Sequence, residues 1–77
     1  MRTDLVITEA HKAKKRYGHF RSTHEAYGVL SEEMAELLDE IRANNIDGIR
    51  RESIQIAAVA LRLANEDHPE FLSRSVK

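Results

Sequence analysis

Apolar residues along this chain recur every three or four positions, and no useful run alternates apolar with polar. That period predicts helices and argues against strands. Val6, Ala10, Ala13 and Tyr17 make the first series, the buried stripe of a helix with Thr3 as N-cap and an end near Gly18. Asp4 falls in its first turn, where negative charge suits the helix dipole. Ser22-Thr23-His24-Glu25 then reads as a capping box, with Ser22 as N-cap and Glu25 reaching back to it. Behind it, Tyr27, Leu30, Met34, Leu37, Leu38 and Ile41 share one face of a second helix that ends around Asn44-Asn45.

The third series differs in kind. After Asp47-Gly48 a helix runs to about Glu66, with Ile54, Ala57, Ala58 and Leu61 on one side. Ile49, Ile56, Val59, Ala60 and Leu63 cover much of another. A helix apolar on most sides must be buried on most sides, and three helices of one short chain cannot surround it. A second chain is therefore expected. His68-Pro69 begins a short last helix or turn, with proline at a tolerated first-turn position. The pattern predicts a single all-α domain over residues 1–77. It is an antiparallel helical hairpin or bundle of three main helices plus that C-terminal element, completed by oligomerisation.

Composition sharpens this picture. A chain of 77 residues buries only about 60% of its unfolded surface, so its core alone is marginal. The absence of cysteine removes disulfides and leaves a metal, self-association or both; it also fits a reducing cytosol. Charged residues are 32% of the chain but sum to −1, a balance that argues against nucleic acid as the partner. No apolar run approaches the roughly 20 residues of a membrane span. Met1-Arg2-Thr3-Asp4 does not look like a signal peptide, so a cytoplasmic location is expected. Lys12, Lys14, Lys15 and Arg16 fall in the last turns of the first helix. They read either as a dipole-favoured, solvated terminus or, with Arg21, as a phosphate-attracting patch.

The chemistry lies in the carboxylates. At about 100° per residue, Glu33, Glu36 and Glu40 fall within roughly 60° of one another and border the apolar face of the second helix. The third helix carries a polar strip of Glu52, Gln55 and Arg62 among apolar neighbours. A short connection favours antiparallel packing, which lets the two strips meet at the core edge. Clustered, dehydrated carboxylates repel, and a hard divalent cation relieves both penalties. The bland alternative is tolerated surface acids, costing about 0.2–0.5 kcal/mol per pair, with Glu36 or Glu40 paired to Arg50, Arg51 or Arg62. Other chemistries find no support: the four histidines are scattered without a zinc motif. A Gly-x-Ser-x-Gly elbow and a glycine-rich phosphate loop are both missing from the sequence. Tyr17 and Phe20 read first as core residues and second as a base-stacking pair.

At these residues the chain resembles the MazG-like family of the all-alpha nucleoside triphosphate pyrophosphatase superfamily. That family carries Glu-x-x-Glu on one helix and Glu-x-x-Asp on the next. Glu33-Met34-Ala35-Glu36 matches the first pair, and Glu52-Ser53-Ile54-Gln55 stands where the second belongs. Tyr17-Gly18-His19-Phe20, His24-Glu25-Ala26-Tyr27-Gly28 and residues 54–62 also look like short members of the family, so the likeness covers roughly residues 11–65. It implies a homodimer or homotetramer that binds Mg2+, with Mn2+ as a substitute. It further implies cleavage of a nucleoside triphosphate to monophosphate and pyrophosphate, often to clear unwanted nucleotides. Glu33, Glu36, Glu52 and Gln55 would be the metal ligands, and Glu40 or Glu32 would orient water. Gln55 departs from the family aspartate: it offers a neutral oxygen and no charge. The competing expectation is therefore a non-catalytic helical module that kept the fold for self-association or protein interaction, with a DNA-binding helix-turn-helix behind it.

Overall fold

The computed structural model describes residues 1–65. Its elements are α1 (Thr3–Tyr17), α2 (Thr23–Arg42) and α3 (Ile46–Ala64), with no strand among the described residues. The element expected at His68-Pro69 lies outside them.

The helix ends follow local hydrogen-bond chemistry and correct the sequence reading at several points; α3 begins at Ile46, so Asp47 and Gly48 lie inside its first turn and not before it. Thr3 is already helical; Arg2 is the N-cap, with no side-chain cap bond. The reason is that the Arg2 carbonyl accepts from both Leu5 and Val6 N–H, closing the first turn a residue early. Gly18 ends α1 at φ 76°, a left-handed backbone that glycine adopts without steric cost. The chain swings there, so Tyr17 stays 73% exposed while Phe20, beyond the turn, is 6% exposed. Tyr17 is thus not a stripe residue; Phe20 takes the core position. The capping box of α2 is present in a shifted form. Ser22 Oγ accepts from Glu25 N–H at 3.0 Å, but the Glu25 carboxylate accepts from Arg21 N–H at 2.7 Å, one residue before Ser22. Asn44 (φ 55°) makes the turn into α3, and Asn45 caps that helix by accepting from Gly48 N–H at 3.2 Å.

Neighbours step down α2 as they step up α3. Glu40 meets Arg51, Glu36 meets Glu52, and Ala26 meets Val59 in a core that also holds Phe20, Val29, Leu30 and Leu63. α1 lies against the second half of α3, where Ile7, Ala10 and Lys14 border Leu61 and Arg62. The buried apolar residues are mainly small: Ala10, Ala26, Ala58, Val59 and Phe20. Small residues let the helices approach closely but bury little area, so the single chain's core is thin.

Two faces differ from their expectation for one geometric reason. On α2, Leu30 and Leu37 are half-buried, while Tyr27, Met34, Leu38 and Ile41 stay 68, 52, 45 and 48% exposed. Those four lie within about 60° of one another on the helix, roughly 120° from the side of Ala26, Glu33 and Glu40 that meets α3. On α3 only Gly48, Glu52, Ala58, Val59 and Arg62 are buried; Ala60 is exposed and Ile49, Ile54 and Ile56 are half-covered. One chain therefore covers α3 on part of its circumference.

Arg62 is an unexpected strut. It is 7% exposed, donates to the Gly18 carbonyl at 2.8 Å and lies over the Phe20 ring at 4.0 Å. The guanidinium thus holds the α1–α2 connection against α3. Arg62→Met keeps the volume but leaves the Gly18 carbonyl without this donor. Urea unfolding of this variant is expected to show a loss of about 1–2 kcal/mol.

Candidate metal centre

The α2–α3 pairing brings three of the six expected site residues to one point. Glu33 and Glu36 stand one turn apart on α2, and Glu52 reaches them from α3. Each offers a carboxylate oxygen, and these oxygens all lie within 4.8 Å of one another. Their surroundings are graded: Glu52 is 8% exposed, Glu33 is half-buried and Glu36 faces solvent. At an effective dielectric of about 20, two unit charges this close repel by roughly 3–4 kcal/mol. Loss of hydration raises the Glu33 carboxyl above its ordinary value, and the charges of Glu52, Glu36 and Glu32 raise it further. Glu52 is raised too, first by burial, then by Glu36 and Glu40, with Arg51 pulling the other way. A proton or a cation would relieve the repulsion of carboxylates crowded in this way.

Of the other three, Glu32 is exposed and acts on Glu33 only through its charge. Glu40 accepts from Arg51 Nη2 at 2.9 Å and from Asn45 Nδ2 at 3.3 and 3.5 Å. It fits because residue 48 is glycine: a Cβ there would collide with the Glu40 carboxylate and crowd the Asn45 amide. Glu40 therefore acts on Glu52 through its field, from outside the triad, and would have to leave Arg51 to orient a water. Gln55, one turn beyond Glu52, is half-buried and lines the same cleft as Glu33.

That cleft has a volume of about 780 Å3, within the range of small-molecule sites. Glu33 of α2 and Gln55, Val59 and Arg62 of α3 line it together with Glu9, Lys12, Arg16 and Tyr17 of α1, Phe20 and Arg21 of the connection, and Glu25. Spacing along the chain leaves Arg50, Arg51 and Arg62 equivalent as partners for the acids. The structure gives Arg51 to Glu40 and turns Arg62 toward the α1–α2 connection. The signal for the first was Asn45-x-x-Gly48, a cap followed by a residue without a side chain. The second had no local signal, because Gly18 is distant in sequence.

The donor set suits a hard divalent ion: all oxygen, mostly anionic, and open toward solvent on the Glu36 side. Gln55→Asp adds a fourth carboxylate, and Mn2+ affinity is expected to rise about tenfold in a titration followed by water-proton relaxation. Unchanged affinity would remove residue 55 from the ligand set. Comparison of the chain with protein-family models, with curated proteins and with solved structures found no match.

Proposed function

We propose that this chain is a metal-dependent nucleoside triphosphate pyrophosphohydrolase of MazG-like type. It would act as an antiparallel helical bundle completed by a second copy. The observation that carries this reading is the convergence of Glu33, Glu36 and Glu52, two of them with raised carboxyl pKa, beside a cleft of nucleotide size. Perturbed carboxylates at a cleft edge are the arrangement a functional site produces. Glu33, Glu36 and Glu52 would hold Mg2+ or Mn2+, with Gln55 adding a neutral oxygen. A bound ion of this kind neutralises phosphate charge and lowers the pKa of its water.

The chain's own groups do the rest. α3 holds Glu52 in a buried setting, so its negative charge is costly until a cation or a proton meets it. Arg51 ties Glu40 back, which keeps a fourth acid from joining the triad and adding to its repulsion. Arg62, stacked over the Phe20 ring, joins it in the lining of the cleft.

A panel of ribo- and deoxyribonucleoside triphosphates, assayed with Mg2+ for pyrophosphate release, tests the proposal directly. At least one nucleotide should be cleaved to its monophosphate with release of pyrophosphate. Release of orthophosphate alone, or no turnover across the panel, would defeat it. A second reading has its own observation. The exposed α2 stripe of Tyr27, Met34, Leu38 and Ile41, together with Gln55 in place of an acid, suits a helical module that self-associates without catalysis. That reading expects oligomers with no stabilisation by metal. No helix among the described residues is long and apolar enough to cross a membrane.

A further inference from the structure

Lys12, Arg16 and Arg21 come from two different parts of the chain and line one cleft. Lys12 and Arg16 are a helical turn apart on α1; Arg21 follows in the segment that Arg62 pins to α3. All three are exposed, and among the described residues none of the three is held in an ion pair. Arg16 rests against the Tyr17 ring, 5.4 Å from its centroid, which leaves the guanidinium edge open for hydrogen bonding. A helix dipole accounts for basic residues near the end of α1. It does not account for Arg21, which lies beyond that end, nor for the shared cleft. Glu33 and Gln55 line the same cleft and lead to the carboxylate triad.

We propose that Lys12, Arg16 and Arg21 form an anion-binding wall that takes the part of a polyphosphate ligand turned away from the carboxylate triad. The choice of a polyphosphate rests on the pyrophosphohydrolase reading; the wall itself requires no metal. Three cations side by side favour the more highly charged pyrophosphate over a single phosphate even without metal, and a cation on the triad would add a second phosphate-binding centre in the same cleft. A free pyrophosphate and the tail of a nucleoside triphosphate share this chemistry.

The test separates wall from metal. In EDTA, inorganic pyrophosphate, tripolyphosphate, a nucleoside monophosphate and a nucleoside triphosphate are titrated by calorimetry into the wild type. The same titrations are made with Lys12→Gln, Arg16→Gln, Arg21→Gln, the triple variant and Glu33→Gln. Circular dichroism checks that each variant folds, and a parallel Mn2+ titration reports the triad. The wild type should bind pyrophosphate and tripolyphosphate, each single substitution should weaken this by about five- to tenfold, and the triple variant should lose it. The triple variant should keep Mn2+ binding, whereas Glu33→Gln should lose Mn2+ and keep pyrophosphate. Tighter binding of the triphosphate than of tripolyphosphate would assign the wall to a nucleotide tail; the reverse would assign it to free polyphosphate. Failure of the wild type to bind pyrophosphate, equal binding by the triple variant, or a monophosphate binding as well as pyrophosphate would each overturn the wall. Loss of Mn2+ response in the wild type with anion binding intact would instead overturn the metal reading alone.

Discussion

Glu52→Gln is expected to remove both the thermal stabilisation by Mg2+ or Mn2+ and at least 99% of pyrophosphate release, roughly a hundredfold loss or about 2.7 kcal/mol. Metal at about 100 times its dissociation constant stabilises a folded chain by roughly 2.7 kcal/mol. For a domain of this size that is a rise of about 10–20 °C in Tm. The substitution keeps the shape of residue 52 but removes the most buried charge of the triad. Without metal its effect should reverse in sign. The Glu52 carboxyl is raised in the folded chain, so the native state binds more protons than the unfolded one. Through the Glu52 and Glu33 carboxyls, metal-free wild type is favoured most below the ordinary carboxylate value of 4.5. It should lose stability as pH rises through the raised pKa values of Glu52 and Glu33. Glu52→Gln removes its share of that loss, so the metal-free variant should match or exceed the wild type near neutrality. A variant that still responds to Mn2+ would show that the triad is not the cation site. One that is destabilised with and without metal alike would give Glu52 a packing role only.

How much of this was legible beforehand differs by residue. The capping serine, the period of α2 and the meeting of its acidic strip with Glu52 follow from spacing along a helix, which a sequence displays directly. The rotation of α2 about its own axis does not. Large apolar side chains normally mark the side that packs inward, yet here the inward side holds Ala26, Glu33 and Glu40 while Met34 and Leu38 face out. Hydrophobic size pointed to one surface and small residues decided another, because alanines on both helices allow the closer approach. The exchange of Tyr17 for Phe20 has a similar cause: a left-handed glycine redirects the chain after the helical period has ended. Arg62 was visible as a polar interruption of α3, but its partner is a backbone carbonyl 44 residues away, which no local pattern reveals. The neutral Gln55 was plain in the sequence, and its consequence rests on the metal titration.

The outward stripe on α2 leads to the second large effect. Tyr27, Met34, Leu38 and Ile41 are unpaired with α3 and spaced as a continuous seam, and Ile46 is exposed nearby at 57%. Full burial of each such side chain is worth about 1.5–3 kcal/mol. Four of them repeated on a symmetric partner therefore suffice to offset the cost of association. Wild-type protein is expected to elute as a homodimer or homotetramer when light scattering is read during size exclusion. Leu38→Glu places a charge in the centre of the seam in both copies at once. At roughly 2 kcal/mol per copy this amounts to about 4 kcal/mol per symmetric interface, a thousandfold weaker dissociation constant. The variant should run as a monomer at micromolar concentration. Because Leu38 does not line the cleft or the triad, its Mn2+ response reports on one chain. Retained Mn2+ affinity in the monomer would show that a single α2–α3 pair is sufficient for the cation, and loss of it would make the second copy part of the centre. An unchanged oligomer would move the interface to another face of the molecule. A wild-type monomer would overturn the proposal that a second copy covers the seam.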